Sequence, residues 1–225
     1  MSGADVVRAR KARGWKQRDL ASKLGVSQPY VSLLERDRRH VPQRLARRLS
    51  RVLDLSPSML PLGSASQPLT SRRAASSLGR MGYPGFAYLR SGSSLNPAEV
   101  LVRTLGAESL DARLVEALPW VLVNYPDLDW DWLVREAKSN DSQNRLGFIV
   151  TLARQLAQGR GDSRTAETLA HWQRVLERSR LLREDAFRKS LTNAERRWLR
   201  ANRSTEAENW NVLSTLTGTA LPYGR

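Results

Sequence analysis

Cysteine is absent, which excludes disulfides and thiolate zinc sites and suits a reducing compartment. Histidine is almost as scarce. His40 and His171 stand far apart, so no imidazole pair has the spacing of metal ligands, and no metal or other cofactor is expected. Long apolar runs are missing too. No stretch approaches the ~20 apolar residues that a membrane span needs, and the start, MSGADVVRARK, has no apolar segment ahead of a cleavage site. A soluble, unexported, cytoplasmic protein is therefore expected, with no membrane partner. Glycine-rich phosphate loops of the P-loop or dinucleotide kind are lacking, as is any internal repeat of solenoid period.

Acidic side chains are scarce in the first part of the chain. The formal charge of the 225 residues is +15, with 37 Lys and Arg against 22 Asp and Glu. Residues 1–60 carry +9 of this, residues 61–97 carry +4 with no acid at all, and residues 98–225 only +2. A cationic excess gathered in the first quarter points to a polyanionic partner for that part, nucleic acid or an acidic membrane surface.

Residues 1–60 have the 3.6-residue period of short helices. Val6 and Val7 mark a first helix, Leu20, Ala21 and Leu24 a second, Val31 and Leu34 a third, and Leu45, Leu49, Val52 and Leu53 a fourth. A last turn is predicted at Ser56, with Ser as cap and Pro57 as first helical residue. Between the second and third helices, Gly25 can take the positive φ that ends one helix without steric cost. Val26 can plug the angle, Ser27 can cap the next helix, and Pro29 is tolerated in its first turn. The arrangement is a helix-turn-helix, with helix two over about 17–24 and helix three over about 28–36.

From Pro61 to Asn96 the composition turns to Ser, Gly, Pro and Arg, the signature of a linker. Within it, GYPGFAYL at 82–89 is either an aromatic segment that docks on a neighbouring surface or a tethered loop. Beyond it, helix signals return. Asn96 with Pro97 reads as a cap followed by a first-turn proline, further starts are expected near Ser109, Ser142 and Ser163, and TNAE at 192–195 has capping-box spacing. Residues 97–225 are thus expected to form a second domain of roughly six helices without strands. The fold class is all-α.

The second domain offers little chemistry. Asp127, Asp129 and Asp131 alternate near a helix start, where acids complement the macrodipole and cannot all face one side. His171 is accompanied by no Ser or Cys nucleophile and suits a packing or surface position. No catalytic residue is assigned, and the chain is expected not to be an enzyme. Six Trp, at 120, 130, 132, 172, 198 and 210, suit core packing, with a partner surface as the alternative. QNRLGFIVTLARQLA at 143–157 suits the domain centre or a dimer interface.

Gln17, LA at 20–21, LGVSQ at 24–28, VSLLE at 31–35 and the basic RDRRHVP that follows closely resemble the Xre/Cro-type, lambda-repressor-like DNA-binding family. The resemblance covers residues 4–60, about a quarter of the chain, and implies a five-helix domain that binds double-stranded DNA with helix three in the major groove. It implies base contacts from Gln28, Pro29, Ser32 and Leu33. Gln28 is suited to adenine, whereas Pro29 and Leu33 offer only apolar contact where many family members carry amides. Phosphate contacts are implied for Gln17, Arg36, Arg38, Arg39, His40, Gln43 and Arg44. Arg10 and Glu35 are implied to form a scaffold ion pair. A transcription regulator, most simply a dimeric repressor, is the expected function. The second domain faintly resembles accessory domains of regulators that neutralise a toxin, so an antitoxin with a partner protein is the alternative.

Overall fold

The computed structural model describes residues 1–63, 67–89 and 92–222. Two compact units are present, one of residues 1–63 with 93–96, the other of 64–92 with 97–225.

The N-terminal unit holds α1 (Gly3–Ala12), α2 (Gln17–Leu24), α3 (Gln28–Glu35), α4 (Gln43–Leu53) and a 3-10 turn at Pro57–Met59. Side chains that share a face in sequence share a core. Val6, Leu20, Leu24, Val31, Leu34, Leu49 and Leu53 are buried together, and Val26 packs against them between α2 and α3. Gly25 ends α2 with φ 59° and ψ 39°. Its N–H donates to Ser22 and that of Val26 to Ala21, the paired bonds of a Schellman motif, which turn the chain directly into α3. Ser27 caps α3 by accepting from the Tyr30 N–H, and Ser56 caps the last turn. The Asn96 amide donates to the Ser58 and Leu60 carbonyls, each at 2.7 Å, and so ties residues 93–96 into this unit.

The second unit begins earlier than composition suggested. The expected linker over 61–96 contains α5 (Ser71–Arg80), capped by Thr70, with Ala74 and Leu78 wholly buried. Its Ala and Ser residues look like linker by composition but allow close helix packing through their small size. A 3-10 turn at Pro84–Phe86 follows, and the aromatic segment docks within its own unit. Tyr83 and Phe86 are buried, and Trp120 meets the Tyr83 ring edge-on at 5.5 Å. Residues 64–66, 90 and 91 of the expected linker, and 223–225 of the second domain, lie outside the described residues.

Then come α6 (Pro97–Leu105), α7 (Ala112–Asn124), α8 (Trp130–Ser139), α9 (Gln143–Gly159), α10 (Ser163–Glu177), α11 (Asn193–Ala201) and α12 (Thr205–Asn209). Residues 97–222 therefore hold seven α-helices among the described residues, against the six expected. The starts shift slightly, because Asp111 and Asp162 are the caps of α7 and α10 in place of Ser109 and Ser163, a carboxylate being the stronger acceptor for the first N–H groups. The capping box at Thr192 and Glu195 forms as its spacing requires.

α9 is the centre of this unit. Leu146, Phe148, Ile149, Val150, Leu152 and Ala153 are wholly buried, with α7 and α10 as its main neighbours. A side chain at Gly147 would run into the Trp210 ring, so glycine there admits the indole. Trp210 Nε1 donates to Thr151 Oγ1, which itself donates to the Gly147 carbonyl, so the buried indole N–H is satisfied. Trp198, by contrast, is 60% exposed, so core packing does not account for all six indoles.

The first turn of α9 anchors the segment that follows α10. Asn144 Nδ2 donates to the Leu181 carbonyl and its Oδ1 accepts from the Leu181 N–H. Arg145 donates to the Asp185 carboxylate and, through Nη1, to the Leu105 and Ala107 carbonyls. Asp185 is thereby held where β1 (Asp185–Ala186) pairs in parallel with β2 (Val212–Leu213), a two-residue ladder not expected from the sequence. Such a short pair carries no alternation to read. It forms because the polar clasp of α9 brings its first strand into place.

Candidate nucleic-acid interface

Ser27 and Pro29 fix the start of α3, and Val31 and Leu34 bury its inner face. That registers Gln28, Pro29 and Leu33 outward as exposed side chains, with Ser32 half-buried beside them. The four residues expected to meet base edges therefore share one helix and its outer side.

A line of hydrogen bonds holds the first of them. Gln28 Nε2 donates to Gln17 Oε1 at 2.6 Å, and Gln17 Nε2 donates to Glu35 Oε2 at 2.8 Å. Arg10 grips the same carboxylate with Nε at 2.6 Å and Nη2 at 2.9 Å, while its Nη1 donates to the Trp15 carbonyl at 2.6 Å. The bond to Gln17 uses one amide proton of Gln28. One N–H and the carbonyl oxygen remain, which is the donor and acceptor pair that the major-groove edge of adenine accepts.

Arg10 and Glu35 form the scaffold pair that the resemblance implied, with side chains only 10% and 4% exposed. Burial pushes the Glu35 carboxyl up, but hydrogen bonds from Arg10 and Gln17 and the charges of Arg10 and Lys11 more than offset it and leave it below its ordinary value of 4.5. Arg10 is raised in turn, chiefly by its hydrogen bond to Glu35. An acid that would otherwise repel phosphate is thus neutralised within the fold.

Around this core lie the expected phosphate ligands. Arg36, Arg38, Arg39, His40, Gln43 and Arg44 are all exposed, on the loop after α3 and at the start of α4. The Arg39 guanidinium stacks 4.7 Å over the Tyr30 ring, which orients it beside the outer face of α3. Gln17 differs from the rest. Both ends of its carboxamide are engaged within the protein, so one N–H is left for a phosphate.

Three features were not anticipated. Asp37, amid the arginines, takes φ 52° and accepts the Gly3 N–H at 2.6 Å, so the only acid of this loop serves the start of α1. Lys23 and Arg13 both lie over the Trp15 ring, at 4.7 and 5.5 Å. Arg48 and Arg51 extend the exposed face of Arg44 along α4, a stripe that was legible from its i, i+4, i+7 spacing. Elsewhere, Asp129 caps α8 by accepting from the Trp132 N–H, and among the described residues no cluster of His, Asp or Glu could hold a metal ion. His171 stands edge-on to the Trp172 ring at 5.1 Å.

Two helices joined by a glycine corner, one presenting an oriented amide beside exposed cations, define a helix-turn-helix domain that binds double-stranded DNA. The helix-turn-helix family model matches residues 7–60, so this unit is of the Xre, lambda-repressor-like type and marks a DNA-binding transcription regulator. No curated protein and no solved structure matches the chain. No helix among the described residues is long and apolar enough to cross a membrane.

Proposed function

We propose that the protein is a sequence-specific, cytoplasmic repressor without enzymatic activity, which inserts α3 into the major groove of a twofold operator as a homodimer. Gln28 reads adenine, while Pro29, Ser32 and Leu33 fit the neighbouring bases, the apolar pair against thymine methyl groups. Arg36, Arg38, Arg39, His40, Gln43 and Arg44, with the free N–H of Gln17, hold phosphates and set register without reading sequence. The observation that carries this reading is the Gln28–Gln17–Glu35–Arg10 line, which fixes a base-reading amide on an exposed helix bordered by cations.

Selection of duplexes from a random library with the intact protein tests it. Two related half-sites, centred about 10 base pairs apart or a multiple of that, are the expected outcome. Recovery of unenriched sequence at every salt concentration would refute specific reading.

A second reading makes the protein an antitoxin, with the second unit binding a partner enzyme and the helix-turn-helix regulating its own operon. Trp198 and Leu182, 60% and 89% exposed, favour a protein contact on that unit. Co-purification of a neighbouring gene product with the intact chain, lost on Trp198→Ala, separates this reading from a lone repressor.

A further inference from the structure

The second unit carries an open cavity of about 700 Å³, within the ~300–1,000 Å³ typical of small-molecule sites. Leu110, Val115, Phe187, Leu191, Leu199 and Leu213 supply its apolar walls. These residues come from four places. Leu110 precedes α7 and Val115 lies on it, Phe187 follows β1, Leu213 belongs to β2, and Leu191 and Leu199 come from the region of α11. The floor is fixed where the Leu110 N–H donates to the Phe187 carbonyl at 2.8 Å.

α11 closes one side in an unusual manner. None of its residues is buried, and Leu199 turns its apolar side to the cavity without packing into a core. What holds the helix is polar, namely its capping box and the ion pairs of Arg196 and Arg200 with Glu184. An amphipathic helix seated over a void leaves apolar surface that an occupant could cover.

Three ionic side chains line the cavity, and their partners distinguish them. Asp111 is engaged as the cap of α7, accepting from the Arg113 N–H at 2.8 Å. Arg188 is exposed and places one positive charge on the same lining. Glu116 is half-buried on α7 and, among the described residues, has no hydrogen-bond or ion-pair partner. Two carboxylates and one guanidinium give this largely apolar lining one net negative charge, which is complementary to an apolar molecule carrying one positive charge.

We propose that this cavity binds a lipophilic organic cation, with its apolar body against the Leu, Val and Phe walls and its charge on Glu116. Both neutral and anionic apolar molecules fit the walls, but only a cation also offsets the net negative charge of the lining.

Fluorescence polarisation of rhodamine 6G with the full chain tests this, with neutral Nile red and the anionic anilinonaphthalenesulfonate as controls. Saturable binding of one rhodamine 6G per chain is expected, tighter than that of either control. Glu116→Gln is expected to weaken rhodamine 6G by about tenfold and leave Nile red unchanged. Leu199→Trp, a filling change on a helix with no buried residues, is expected to abolish both while circular dichroism stays that of the wild type. Absence of saturable rhodamine 6G binding would overturn the proposal. So would equal affinity for the anionic probe, equal affinity in Glu116→Gln, or retention of binding by a folded Leu199→Trp protein.

Discussion

Gln17→Ala is the most informative single change, because Gln17 joins the proposed base reader Gln28 to the buried carboxylate of Glu35. Its carboxamide accepts from Gln28 at 2.6 Å and donates to Glu35 at 2.8 Å. Truncation has two separable consequences. The Glu35 carboxylate, 4% exposed, loses one neighbouring donor but keeps both Arg10 bonds. A hydrogen bond to a charged group contributes about 1.5–3 kcal/mol, and the retained Arg10 pair places the stability cost at the lower end of that range. Gln28, freed from its neighbour, samples other rotamers before binding. Loss of a neutral amide bond costs about 1 kcal/mol, or roughly fivefold in the preference for adenine over another base at one position. Fluorescence anisotropy with a selected duplex and its single-base variants measures the preference, and hydrogen exchange of α3 amides measures the stability. Gln28→Ala alone should lower affinity for the selected duplex by about 1–3 kcal/mol and relax that position without a matching stability loss. In the double mutant, the effect on base preference should equal that of Gln28→Ala by itself, since Gln17 acts through Gln28. Additive losses of preference, or wild-type discrimination by Gln17→Ala, would refute the orienting role of Gln17.

Arg38→Ala and Arg39→Ala should weaken binding to all duplexes alike and reduce the slope of log K against log salt by ~0.9 for each phosphate that is no longer neutralised, so a wild-type slope in a titration counts against that role. Stability of the N-terminal unit should depend on Glu35 ionisation. Its carboxyl lies below the ordinary 4.5 when folded, so the unfolded chain binds the proton more readily. This contribution is complete above about pH 4.5 and drains as pH falls through the lower folded value. Hydrogen exchange of α3 against pH should record that decline, and Glu35→Gln should flatten it. Gly147→Ala, which drives a methyl group into the Trp210 ring, should destabilise the second unit by about 1–3 kcal/mol in urea unfolding, and an unchanged midpoint would contradict that packing.

The helix-turn-helix was legible residue by residue because its signals are local. Apolar period, a glycine at the corner and a serine cap each act within a few residues, and they agreed. The arginines after α3 were legible as a cationic face for the same reason. α5 was not legible, since Ala, Ser and Gly give the composition of a linker and of a tightly packed helix alike. The Asp37 bond to Gly3 and the Asn96 bonds to Ser58 and Leu60 join residues more than thirty positions apart, a distance over which sequence carries no period.

Sequence alone determined that the N-terminal quarter forms short helices around a glycine corner, with a surplus of cations beside the third. Only tertiary structure decided that Gln28 is held by Gln17, that Glu35 pairs with Arg10 while also accepting from Gln17, and that Glu116 lines a largely apolar cavity. Helix propensity, capping and amphipathic period act along the chain and can be read from it. Hydrogen-bond partnership and the space left between walls depend on which distant residues folding brings within about 3 Å of one another.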